Sequence, residues 1–284
     1  MKKSQLSITM YLIFFLITVF IIGCAQTVPL QDAGQKQPIK NSEMLDGDDK
    51  FDVATQEVKY HGSSKGFLAK PSKEGVYPGI VMIHEWWGLN DNIKDMARQL
   101  AAEGYVVLAV DLYDGKVGSD QSEARDLSSK VRNDMDGAID NMKAAVKYLK
   151  SLDNVDNDRI GSMGWCFGGQ MSLQLALNEP LAATVIYYGS LETNASKLSS
   201  IKWPILGIFG DKDTSIPVET VKKFGAALKE AGVENEIHIY EGVGHAFANP
   251  SGMSYAPEQT KDAWKKTVEF LDKNLKQNSS SESK

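Results

Sequence analysis

Thiols are scarce in this chain. Of its 284 residues only two are cysteine, Cys24 and Cys166. They stand in such different contexts that no disulfide framework is expected. Histidine is nearly as rare. No two of His61, His84, His238 and His245 have ligand spacing on a shared element, so the sequence points to no metal site. Basic residues are outnumbered, with 31 Lys and Arg against 37 Asp and Glu, for a net charge of −6. That balance excludes the clustered cationic surface a nucleic-acid partner needs. There is no internal repeat. What is present is a hydrophobic fraction of 42% and a charged fraction of 24%, which suits a globular core of one large or two small domains.

The N-terminus reads as an address. Lys2 and Lys3 precede an apolar run from Ile8 to Ile22, followed by Gly23 and Cys24. The run is shorter than the roughly 20 residues of a membrane-spanning helix and has the layout of a secretory signal peptide. Its end, Ile21-Ile22-Gly23-Cys24, resembles a bacterial lipobox. Residues 1–24 are therefore expected to be a lipoprotein signal with Cys24 the lipidated residue, placing the protein in the cell envelope, outside the cytoplasm. The alternative is an uncleaved signal anchor with an incidental cysteine. Residues 25–50 are rich in Gln, Asp, Gly, Pro and Lys and read as a flexible tether; 276–284 read as a disordered tail. The folded domain is expected over 51–275.

Within it, short apolar runs alternate with amphipathic stretches. "QEVKYHG" and "KGFLAKP" predict an antiparallel pair. Buried strands are predicted at "GIVMIHE", "YVVLAVDLY", "RIGSMGW", "AATVIYYG", "PILGIFGDKD" and "NEIHIYEG". Between them the spacing predicts helices over 90–104, 119–149, 168–177, 217–232 and 257–275. Strands separated by helices of this length imply right-handed crossovers and a mostly parallel sheet covered on both faces, an α/β fold. In such sheets, sites form at the carboxyl ends of strands. His84-Glu85-Trp86, Cys166, Asp213 and His245 all fall there.

The central stretch "GSMGWCFGGQ" holds Cys166 among glycines, directly after a strand and opening a helix. Gly164-Trp165-Cys166-Phe167-Gly168 is a G-x-C-x-G nucleophile elbow with cysteine in the serine position. The helix N-terminus favours a thiolate there, and the Phe167 N–H can serve an oxyanion. The competing readings are a buried structural cysteine and, less well matched, a dinucleotide-binding loop. A cysteine nucleophile wants a base, and the base an orienting carboxylate. His245, flanked by glycine in a loop after a strand, supplies the first. Asp213 supplies the second in preference to Asp211, and the order nucleophile, acid, histidine is that of α/β-hydrolases. His61 and His238 read as structural, and His84 as shaping its loop.

"HEWWG", "DLY", "GWCFGG", "GDKDTSIP" and "GHAF" occur in the order seen in dienelactone hydrolases, and the chain resembles that family from about Thr55 to Leu275. The resemblance implies an α/β-hydrolase fold without a large cap domain and a Cys166–His245–Asp213 triad, with no cofactor. It also implies that Glu85 helps activate the thiol and that the Trp86 N–H joins that of Phe167 as oxyanion donor. The expected reaction is hydrolysis of a small ester or lactone through an acyl-enzyme. Trp86, Trp87 and Phe167 are expected to form an apolar wall, Trp87 contacting substrate. Where the enzyme acting on dienelactone holds the substrate carboxylate with two arginines, this chain has Asp114-Gly115-Lys116 and Asn249. Lys116 and Asn249 are thus the substrate-binding candidates at those places. The alternatives are a carboxylesterase- or thioesterase-type acyl hydrolase, and a non-catalytic binding lipoprotein on the same fold.

Overall fold

Strands β3 (Tyr77–Ile83) and β4 (Val106–Val110) show how the sheet is made. Successive side chains on a strand point to opposite faces. In β3, Ile80 and Met82 therefore enter one core layer and Val81 and Ile83 the other. Both faces are covered, so the strand is apolar throughout rather than alternating.

The computed structural model describes residues 50–276. An antiparallel pair, β1 (Val53–His61) and β2 (Ser64–Pro71), leads in. After β3 come α1 (Asp91–Ala102), β4, α2 (Gln121–Asn133), α3 (Met135–Lys150), β5 (Val155–Trp165) and α4 (Phe167–Asn178). Then follow β6 (Ala183–Tyr187), the single turn α5 (Ala195–Leu198), β7 (Ile205–Gly210), α6 (Val218–Glu230), β8 (Asn235–Tyr240) and α7 (Pro257–Leu271). The eight strands lie in the order β1-β2-β4-β3-β5-β6-β7-β8. β2 joins β4 antiparallel, and from β4 to β8 every pairing is parallel. Helices α1 and α7 cover one face through Ile93, Met96, Leu100, Trp264 and Phe270. α3, α4 and α6 cover the other through Met142, Val146, Met171, Leu175 and Phe224.

Two departures from the sequence expectation have local causes. The helical region expected over 119–149 is two helices, broken at Asp134 (φ −123°, ψ 62°). Aspartate competes for backbone N–H groups and so favours caps over helix interiors. Here its N–H closes α2 while its carboxylate accepts from Gly137 N–H to open α3. A Cβ on Gly137 would fall 2.5 Å from Asp134 Oδ2, so glycine makes this double cap possible. The last helix keeps α geometry only to Leu271, then widens into a π-helical turn over Asp272–Lys276. Both ends of the described residues are fastened to the domain. Lys50 pairs with Glu103 at 2.6 Å, and Lys276 pairs with Asp272 and lies over the Tyr105 ring. The signal segment with Cys24, the remainder of the tether and the rest of the tail lie outside the described residues.

Candidate active site

Cys166 occupies the turn between β5 and α4 with φ 54° and ψ −115°. Such a backbone costs a non-glycine residue on the order of 1–3 kcal/mol and persists only where its surroundings enforce it. Here they do. A Cβ on Gly164 would meet Gly168 O at 2.3 Å, and one on Gly168 would meet Ile83 O at 2.2 Å. Strand, turn and helix can therefore approach this closely only with glycine at both places. The Cys166 N–H donates to Tyr187 O at 2.9 Å, which ties the turn to the end of β6.

Three strand ends then converge on one line of hydrogen bonds. His245, after β8, places Nε2 3.0 Å from Cys166 Sγ and Nδ1 2.8 Å from Asp213 Oδ2. Asp213, after β7, is itself fixed: its Oδ1 accepts from the N–H groups of Ser215 at 2.8 Å and Ile216 at 3.0 Å. Burial opposes the Asp213 charge, yet the His245 hydrogen bond and these amides hold its pKa below the ordinary carboxylate value. Burial likewise opposes charge on His245. The hydrogen bonds to Asp213 and Cys166 outweigh it and push the imidazole up to about 10. These two hydrogen bonds thus favour the protonated imidazole.

The loop after β3 faces this line. His84 is fully buried; Leu112 N–H donates to its Nε2 at 3.2 Å, so the proton sits on Nδ1, which donates to Glu85 O at 2.6 Å. Burial lowers its pKa to about 4, keeping the ring neutral and the loop pinned. Glu85 is 4% exposed. Burial pushes its pKa up to about 7, against the opposing effects of the His245 charge and of the Asn249 and Tyr188 donors. Trp86 and Trp87 are half-buried and pack edge-on, with ring centroids 5.0 Å apart. The Trp86 carbonyl accepts from Tyr113 Oη, and that of Trp87 from Gly118 N–H, which fastens the loop to the segment after β4.

Phe167 is the first residue of α4, so its N–H has no partner within the helix. Its ring, expected in an apolar wall with the tryptophans, instead turns into the core between His84 and Tyr113 at 5.8 Å from each. Two substrate-binding candidates are placed differently from expectation. Asn249 is buried, and both ends of its amide are occupied: Nδ2 donates to Glu85 Oε2 and Oδ1 accepts from Ser251 N–H. A neutral side chain thus holds the glutamate. Lys116 is exposed beside a cavity of about 420 Å³ that Glu57, Lys65, Asp111 and Asp114 also line, and none of Cys166, Asp213 and His245 lines it. His61 is the last residue of β1 and His238 lies within β8; neither takes part in the Cys166–His245–Asp213 line. Among the described residues no group of three or more His, Cys, Asp and Glu side chains is placed to hold a metal ion.

One residue at the site escapes sequence reading. Tyr188, just past β6, has φ 36°, and its ring meets His245 edge-on at 5.2 Å. A tyrosine after an apolar strand is ordinary core material, so composition and spacing give no signal for it.

A mostly parallel sheet, a nucleophile-type turn after a central strand, and an acid and a histidine on later strand ends define an α/β-hydrolase. The chain belongs to the dienelactone hydrolase family, whose model matches residues 64–275. It is thus a hydrolase of the carboxylic-ester or lactone type. Protein usf of Aquifex pyrophilus is 34% identical over 214 residues, covering 73% of this chain and 92% of that one. A Saccharolobus solfataricus protein, provisionally named a carboxymethylenebutenolidase, is 32% identical over 241 residues, covering 73% of this chain and 93% of its own. Among solved structures, a provisionally named dienelactone hydrolase from Klebsiella pneumoniae superposes with a TM-score of 0.69 at 26% identity. That match covers 78% of this chain and 98% of the other.

Proposed function

We propose that this protein hydrolyses small esters or lactones through a covalent acyl-enzyme on Cys166. The observation that carries the reading is the unbroken line Sγ to Nε2 at 3.0 Å and Nδ1 to Oδ2 at 2.8 Å. The Cys166 thiolate attacks the carbonyl carbon, and the carbonyl oxygen takes the negative charge between the N–H groups of Trp86 and Phe167. The carbon–oxygen bond to the alcohol portion breaks as His245 protonates the leaving oxygen. Water then attacks the thioester, His245 takes its proton, the carbon–sulfur bond breaks and the acid departs. Asp213 fixes the tautomer and stabilises the imidazolium. Glu85, poised near pH 7 by burial, accepts the thiol proton when the nucleophile is armed.

Substrate selection rests on shape and apolar contact in this reading, with Trp87 at the rim. Asn249 is engaged by Glu85 and Lys116 stands apart, so neither supplies a cation for a substrate carboxylate. Turnover of p-nitrophenyl acetate, p-nitrophenyl butyrate, dienelactone and a simple thioester, in wild type beside Cys166→Ala, tests the proposal. Neutral esters turned over by wild type alone support it. A folded, reduced wild type without turnover on any of them moves the case to the binding-lipoprotein reading.

The N-terminal motif supports a lipid anchor on Cys24 that holds the enzyme in the cell envelope by way of the 25–50 segment. Incorporation of labelled palmitate that vanishes in Cys24→Ala is the expected result.

A further inference from the structure

Tyr188 carries two costs that the sheet does not require. A bulky residue at φ 36° is strained, and its buried hydroxyl has no partner at full hydrogen-bonding distance. An unsatisfied buried polar group is destabilising. The neighbouring tyrosine shows what an ordinary arrangement looks like: Tyr187 Oη bonds Thr267 Oγ1 at 2.7 Å and Ala263 O at 3.1 Å. Strain and missing partners concentrate where a residue is held for chemistry.

The His245 ring packs edge-on against that of Tyr188 at 5.2 Å, and further groups act on the Tyr188 hydroxyl. They are the Glu85 carboxylate from the loop after β3, Cys166 from the elbow, Tyr187 from its own strand and the Ala248 backbone from the loop after β8. Among these, an ionised Glu85 is the acceptor short of donors. A carboxylate offers about four lone-pair sites; the Asn249 amide is the donor at hydrogen-bonding distance from Glu85, and the Tyr188 hydroxyl is the other donor directed at it. Burial and the nearby anionic groups keep the phenol protonated, so it can serve that acceptor only as a donor.

We propose that Tyr188 is a positioning residue, whose hydroxyl closes onto the Glu85 carboxylate as the second donor of a clamp begun by Asn249. The clamp orients Glu85 toward Cys166 and sets the pH at which it becomes a proton acceptor. No proton leaves Tyr188; it stabilises the carboxylate that receives one. This inference rests on the proposed role of Glu85 in arming Cys166.

The test is the pH dependence of Cys166 alkylation by iodoacetamide in the full-length chain, read by mass spectrometry on the Cys166 peptide. That readout needs no substrate, so it is separate from the turnover that tests the function itself. Tyr188→Phe keeps the ring and removes only the hydroxyl. Loss of an unpartnered group leaves the melting temperature unchanged or higher, while loss of a donor moves the acid limb upward by about one pH unit. In a Glu85→Gln background the same change moves nothing, because the two residues act as one unit. An unshifted limb in Tyr188→Phe overturns the proposal. A shift that persists without Glu85 overturns it equally.

Discussion

The side-chain amide of Asn249 donates to the carboxylate of Glu85, 164 positions away in sequence, and both groups are buried. Burial dominates over the His245 charge and the neutral Asn249 and Tyr188 donors, and lifts the Glu85 pKa to about 7. A strongly charged partner would instead hold it ionised well below neutrality. The site therefore contains a carboxyl group that changes state near physiological pH within reach of the His245 charge.

The same burial makes Glu85 a determinant of stability. Its folded pKa is raised from 4.5 to about 7, so the folded state holds a proton that the unfolded chain releases. The contribution is fully favourable below about pH 4.5 and is lost as pH rises through 7. Glu85→Gln keeps the shape and the Asn249 hydrogen bond but removes the titration. Urea melts from pH 5 to pH 8 are expected to show the variant gaining on wild type, by on the order of 3 kcal/mol across that range. Parallel pH profiles for the two proteins would refute this reading of Glu85.

Asp213→Asn is expected to reverse the imidazole. The Ser215 and Ile216 amides need an acceptor, so the new side chain keeps its oxygen toward them and turns its NH₂ to His245 Nδ1. Nε2 then carries the proton and cannot take one from Cys166 or from water. Steady-state kinetics should show kcat/KM lower by about 10²- to 10⁴-fold, with the melting temperature little changed. Activity within a few-fold of wild type would remove Asp213 from the mechanism.

Close approach at the elbow predicts a contrast between two glycines. In Gly168→Ala the new methyl would lie 2.2 Å from the Ile83 carbonyl, so α4 must move away from β3. A loss of about 3 kcal/mol or more is expected, or failure to fold. Gly62→Ala, with φ 51° and nothing within 4 Å, should cost only about 1 kcal/mol. Denaturant melts of the two variants check the ordering, and equal losses would contradict the packing account.

Much of this architecture was legible in the residues. Apolar runs broken by amphipathic stretches gave the parallel strands, and the glycines around Cys166 announced a turn too tight for side chains. The chain order of Cys166, Asp213 and His245 marked the strand ends that meet. Less was legible where contacts cross the sheet. Asn249 looks like a loop residue until folding brings it to Glu85, and Tyr188 looks like core until its unpartnered hydroxyl is seen. The break at Asp134 was hidden because Leu127, Val131, Met135 and Ile139 keep helical spacing across it, and only the capping by Asp134 and Gly137 separates α2 from α3. Lys116 was placed by its spacing from a motif, and spacing says nothing of which side of a loop a cation takes.

The most direct test of the central claim is the mass of the protein during turnover. Wild type mixed with p-nitrophenyl butyrate and quenched in acid within the first turnovers should carry one butyryl group, mapped by peptide analysis to Cys166. Cys166→Ala should carry none and release no nitrophenol above background. Turnover without an adduct on Cys166, or with the adduct on another residue, would contradict the account.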